Sequence, residues 1–380
     1  MITGPLAGQM LADMGADVIK IERPDGGDPF RTFRDGEVSP YFQAYNRNKR
    51  SVAADLQTEV GKSICQRLAA SADVFIENFR PGVMAKLGLS AAEMRASNPR
   101  LVYCSISGFG GFGPYRDRPA YDAVAQALSG LSALFLGQDS QITGPTIADN
   151  LTGIYACYGV LAALYERERT GVGRVVEVNM LDSAVAFMPD AFASYSLSRS
   201  VPGPFTRVQA SQSYALECAD GKLIAVHLSS QLKFWESLCA ALNRADLLTD
   251  SRFDSRAKRI DRYFELKSEF QRTVRSRSQN EWLACLAAFD VPHAPVNALD
   301  AVLADAQVQA LDSFASIALS PSVTLTVPRR PVWIDGSRND QPMSGAPALN
   351  QDGERIVATL GLSDDDVARW RGNHVRAGNS

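Results

Sequence analysis

The chain has 380 residues, with 39 Lys and Arg against 42 Asp and Glu, a net charge of −3 and a pI of 5.8. Hydrophobic residues make up 46% and charged residues 21%, the balance of a soluble globular protein large enough for two domains, with no overall basic field to hold nucleic acid. Six cysteines without a C-x-x-C and only three histidines argue for a reduced protein with neither a disulfide framework nor a Cys/His metal centre. The N-terminus lacks the basic region of a signal peptide. Asn150 to Tyr165, among the longest uncharged stretches, is shorter than the ~20 apolar residues a membrane span requires. It reads as a buried helix, and the cytoplasm is the default compartment.

Pro5 to Met14 reads as a helix stopped by Gly15, and Val18 to Glu22 as a strand. A helix feeding a parallel strand normally follows an earlier strand of about 5–6 residues, for which Met1-Ile2-Thr3 leaves no room. The alternation continues: strand Ser51–Asp55, helix Thr58–Ala72, strand Asp73–Asn78 and helix Pro81–Leu87. Helix Ser90–Ser97 follows, with Ser90 and Glu93 at capping-box spacing, then strand Leu101–Ile106 and helix Tyr121–Leu131. A long helix, Leu151–Glu168, leads to strand Arg174–Met180. Such alternation predicts an α/β fold, with an open, mostly parallel, Rossmann-like sheet domain over 1–195. A Ser/Pro/Gly/Gln-rich linker over 196–213 precedes a hairpin about Asp220-Gly221 and several helices, a smaller α+β domain over 214–312. Residues 313–380 read as a return segment, with strands near Ala315–Leu319 and Thr324–Val327, a polar stretch Gly336–Leu349 and two C-terminal helices on the large domain.

Three features carry candidate chemistry. Gly108–Gly113 matches G-x-G-x-x-G after a strand, yet Pro114–Pro119 postpones any helix, so a loop over a site fits better than a dinucleotide fingerprint. Asp149 stands just before the long helix, where it is either an N-cap or a carboxylate held ionised beside free backbone N–H groups. In the second role it could attack a thioester as a nucleophile, with the same donors stabilising an oxyanion. Basic residues cluster at Arg23, Arg47-Asn48-Lys49-Arg50, Arg80 and Lys86, at strand ends or in the loops after them. They are either solvated surface charge or a grip for the phosphates of an adenosine cofactor.

Taken in order, Gly4–Pro24 (GPLAGQMLADMGADVIKIERP), Gly27-Asp28-Pro29, Asn46–Ser51 (NRNKRS), Glu77–Gly82 (ENFRPG) and Ser107–Gly110 (SGFG) resemble the class III CoA-transferase family, which includes the 2-methylacyl-CoA racemases. Pro119–Asp122 (PAYD), Ala148–Gly153 (ADNLTG) and Glu166–Gly171 (ERERTG) complete the set, and the tail around Leu360 to Val367 is similar too. The resemblance implies that Asp149 is the covalent nucleophile. It implies CoA contacts from Arg23, Ala54-Asp55-Leu56-Gln57, Asn78-Phe79-Arg80, Lys86 and Tyr121. It also implies an interlaced homodimer that moves CoA from an acyl-CoA to a small carboxylic acid, with the CoA thioester as substrate and no permanently bound cofactor or metal; the charge balance and the short apolar runs predict no nucleic acid and no membrane as partners. Three departures stand out: the absent first strand, Lys86 where Arg is common, and no glycine run in the second domain. Matching racemases carry a histidine where this chain has Tyr121, and a phenol with a pKa near 10 is a poor base at neutrality. Racemisation is therefore the alternative reading. An inactive CoA-binding chain lacking its first strand is the other.

Overall fold

The computed structural model describes residues 1–33, 38–136, 141–142, 144–338 and 342–377, so part of the polar stretch Gly336–Leu349 lies outside the described residues. The chain forms two compact units, one of Met1–Ser132, Ile142–Pro189 and Asp312–Ser380, the other of Ala133–Gln141 and Asp190–Leu311.

In the first unit, α1 (Thr3–Ala12) begins two residues earlier than expected, with Pro5 in its first turn, where a missing N–H costs nothing. Then come β1 (Val18–Glu22), α2 (Pro40–Asn46), β2 (Lys49–Ala53), α3 (Glu59–Ser71) and β3 (Val74–Glu77). Further on lie α4 (Val83–Lys86), α5 (Ala91–Ser97), β4 (Val102–Ser107), α6 (Asp122–Ser129), α7 (Ile147–Thr170), β5 (Val175–Asn179) and α8 (Met180–Ala186). The capping box of Ser90 and Glu93 forms as expected at the start of α5. The fold is the mixed α/β class with parallel sheets. Among the described residues those sheets are two, β1–β2 and β3–β4–β5, with every pairing parallel.

The core of this unit explains the alternation. Ala7 and Leu11 of α1 and Ala156, Cys157, Val160 and Ala163 of α7 close on Val102, Cys104 and Ile106 of β4. Gly153 permits the approach of α1, since a Cβ there would come 2.9 Å from Leu6. Among the described residues α7 alone is long and apolar enough to cross a membrane, and its inner face belongs to this core. A second cluster joins Val52, Ala54, Val60 and Ile64 to Ile356, Val357 and Trp370 of the C-terminal helices, with the Trp370 indole N–H donating to Ala53 O at 2.8 Å. An antiparallel hairpin, Phe314–Ser320 with Val323–Pro328, completes the unit.

The second unit carries α9 (Pro189–Ser198), α10 (Thr206–Ser211) and an antiparallel sheet of β6 (Ser213–Glu217), β7 (Leu223–His227) and β8 (His293–Pro295). Helix α10 lies inside the stretch read as a linker. The hairpin falls at Asp220-Gly221, with Gly221 at φ +74°, a conformation that favours glycine. Two short helices follow, Leu299–Ala304 and Ala306–Ala310, separated because Asp305 leaves the helical region and caps the second.

Candidate active site

Three parallel strands end together. Beyond Glu77 of β3 lie Asn78 to Pro81, beyond Ser107 of β4 lies Gly108, and beyond Asn179 of β5 lies Met180. These residues line one cavity of about 240 Å3 with Met1, Ile2, Thr3, Ile106, Arg116, Arg118 to Tyr121, and Asp149. Ligands bind open α/β sheets at this carboxyl edge.

Each wall is held locally. Asn78 Nδ2 donates to Thr3 Oγ1 at 3.1 Å, fastening the loop after β3 to the start of α1. Gly82, at φ +84°, turns that loop into α4. The Gly110 N–H donates to Ser107 Oγ at 3.0 Å, and the G-x-G-x-x-G run is a loop after β4, with no helix until Asp122. Gly108 packs so closely on Ala120 that a Cβ at 108 would overlap the Ala120 Cβ. Downstream, the Arg118 guanidinium lies over the Tyr115 ring, 3.9 Å from its centroid.

Asp149 is not the cap of the long helix. Helix α7 starts at Ile147 after Thr146, which makes no side-chain cap bond, so Asp149 sits in the first turn. Its carboxylate is near the positive end of the helix, as one reading of the sequence expected. Its backbone N–H is not free, however: it donates to Asp122 Oδ1 at 3.1 Å, which removes it as an oxyanion donor. Burial, and then the neighbouring Asp122 carboxylate, push the Asp149 pKa up to about 6. Nearby, the Tyr45 hydroxyl donates to Asn150 Oδ1 at 3.4 Å, and burial raises the pKa of that phenol.

The cavity unites Asp149, Asn78, Phe79, Arg80 and Tyr121 of the residues singled out from sequence. The others lie outside it. Arg23 follows β1 and donates from Nε to Gly27 O at 3.1 Å. Ala54-Asp55-Leu56-Gln57 follows β2, where the Ala54 N–H donates to Glu22 O at 2.7 Å, and Lys86 is exposed at the end of α4. Part of the basic cluster is structural. Arg47 is buried against Asp13 at 2.6 Å, and buried Lys49 donates to Pro5 O, Tyr45 O and Asn46 Oδ1 at 2.7 to 3.0 Å. Two cavity arginines escaped the sequence reading, Arg116 and Arg118. Among the described residues, neither they nor Arg80 pair with a carboxylate. Their signal was available, as two arginines in the Pro114–Pro119 stretch directly after the loop read as covering a site.

The profile of CoA-transferase family III matches residues 1–353. The chain belongs to CoA-transferase family III. Among its curated relatives is the succinate–glutarate CoA-transferase of Agrobacterium fabrum, 34% identical over 376 residues that cover 95% of this chain and 92% of that protein. Another is the acetyl-CoA:oxalate CoA-transferase of Acetobacter aceti, 33% identical over 371 residues, 94% and 92% of the two chains. The crystal structure of Rv3272 from Mycobacterium tuberculosis is similar at a TM-score of 0.81 and 33% identity, covering 94% of this chain and 95% of that one. A CaiB/BaiF family protein from Brucella suis gives the same TM-score at 32% identity, covering 94% and 96%. A family III CoA-transferase handles CoA thioesters as substrates, so the resemblance read from the ordered motifs is borne out as family membership and as an enzyme class.

Proposed function

We propose that this enzyme transfers CoA from a donor acyl-CoA, such as succinyl-CoA or another short thioester, to an acceptor carboxylic acid through covalent adducts on Asp149. The observation that carries this reading is one carboxylate in a cavity that also presents Asn78, Phe79, Arg80 and Tyr121 at the ends of parallel strands. An oxygen of Asp149 attacks the thioester carbon; the C–S bond breaks, CoA leaves as thiolate, and a mixed anhydride remains. The thiolate then attacks the aspartyl carbonyl, forming an aspartyl thioester and releasing the donor acid as carboxylate. The acceptor carboxylate reverses the sequence: it displaces CoA thiolate from the aspartyl group to form a second mixed anhydride, and the thiolate then attacks the acceptor's carbonyl, giving the new acyl-CoA and releasing the Asp149 carboxylate. Each difficult exchange becomes two easier ones. Arg80, Arg116 and Arg118 supply positive charge for anionic groups on the substrates. Arg23 and Ala54 to Gln57 follow strands and Lys86 ends a helix of the same unit, and all are proposed to extend the CoA grip outside the cavity.

The reading includes a homodimer in the cytoplasm. Ile154, Tyr158, Leu161 and Tyr165 form an exposed apolar stripe down the outer face of α7, which a second copy would cover. All six cysteines are free, which suits a reducing compartment.

Incubation with donor acyl-CoA and hydroxylamine tests the mechanism. A hydroxamate at Asp149 is expected, and Asp149→Ala should lose transfer while still binding CoA. Full activity in that variant would reject the assignment.

A further inference from the structure

Asp122 does not line the cavity, yet both of its carboxylate oxygens are committed beside the nucleophile. One accepts the N–H of Asp149 at 3.1 Å, and the other accepts the side-chain amide of buried Gln126 at 2.5 Å. The first turn of α6 is thereby tied to the first turn of α7. We propose that Asp122 is a positioning residue that holds Asp149 by its backbone and, as a second negative charge, biases it toward its neutral, acylated form.

Asparagine would keep the tether to Asp149, because its amide oxygen accepts that N–H, and Gln126 can turn its own amide oxygen toward the new NH2. A carboxylate adds like-charge repulsion in the free enzyme. That repulsion disappears once the Asp149 oxygen bonds to the acyl carbon, the C–S bond breaks and the negative charge departs on the CoA sulfur. The same repulsion makes the free carboxylate more basic, consistent with its raised pKa. Other charged or titratable groups also face Asp149. Tyr45 approaches from α2, the Met1 amine draws the pKa down, and Arg80, Arg116 and Arg118 share the cavity walls. Asp122 is the one among them that also bonds the Asp149 backbone.

This inference rests on Asp149 as nucleophile, and the test separates the two. Wild type, Asp122→Asn and Asp122→Ala in the full chain are mixed with donor acyl-CoA and acid-quenched, and adduct occupancy at Asp149 is read by mass spectrometry. The pH profile of kcat/KM is measured alongside. Asp122→Asn should fold, show several-fold lower occupancy and move the acid limb to lower pH. Asp122→Ala should lose the tether too and drop kcat on the order of 10-fold or more. Should that variant fail to fold, Asp122→Asn carries the test alone. A wild-type adduct with unchanged occupancy and acid limb in Asp122→Asn overturns this inference only. Turnover with no wild-type adduct overturns the nucleophile assignment and this inference with it.

Discussion

The Glu77 carboxylate, buried where β3 ends, accepts the Phe79 N–H at 2.9 Å and the Ser105 hydroxyl at 2.5 Å. It therefore fixes from inside the sheet a loop whose next residues line the cavity. Burial raises its pKa, against the lowering effect of those two bonds. Glu77→Ala leaves two donors without their acceptor and should cost about 1–3 kcal/mol for each that stays buried, with a higher KM for acyl-CoA. Because the folded pKa is raised, the stabilisation from this group is present below its ordinary range and fades as pH rises through the raised value. Glu77→Gln should thus compare better with wild type at pH 8 than at pH 4. Urea unfolding at both pH values checks this, and the opposite trend would discard it.

If Asp149 is the nucleophile, it sets the acid limb of activity. With its carboxyl raised to about 6, kcat/KM should be level above pH 7 and fall steadily below pH 6. A limb centred near 4 would contradict the site electrostatics.

The same raised pKa makes the ionised Asp149 carboxylate a burden on the fold. Its stabilising contribution is complete below the ordinary aspartate pKa and is lost as pH rises through about 6. Asp149→Asn should accordingly gain about 1–3 kcal/mol at pH 8 and little at pH 4. Thermal midpoints at the two pH values decide; equal gains at both would contradict it.

Contact between α1 and α7 depends on the missing side chain at Gly153. Gly153→Val should destabilise by about 1–3 kcal/mol through overpacking against Leu6, and Leu6→Ala should recover part of the loss. Chemical denaturation of the two single variants and the double variant measures the coupling.

If a second copy covers the outer stripe of α7, Tyr158→Glu with Tyr165→Glu should halve the sedimenting mass without unfolding the chain. An unchanged dimer would remove that face from the interface, and a monomeric wild type would remove the dimer.

Local chemistry was legible in the sequence. The Asp220-Gly221 hairpin and the Ser90/Glu93 capping box depend on neighbours a few residues apart, and both are present. Misplacing the start of α7 has a local cause as well: Thr146 makes no cap bond, so Asp149 gave the stronger cap signal. Helix α2 was overlooked although Ser39 caps it and Pro40 opens it, both recognisable start signals. Contacts distant in sequence were not legible. Arg47 and Lys49 look like surface charge until Asp13 and Pro5 are found beside them. Family motifs brought Asp149 and Tyr121 together on paper, but not the Asp122 bond to the Asp149 backbone. The separation of the strands into two sheets was equally hidden, because neighbours in a sheet need not be neighbours in the chain.

Gly108 and Ala120 share a space sized for a single methyl group. Substitutions at these positions should therefore be epistatic: Gly108→Ala harmful alone, and tolerated when Ala120→Gly vacates the room. Two positions twelve apart in sequence are thus linked in one direction: position 120 must lose its methyl before position 108 can gain one.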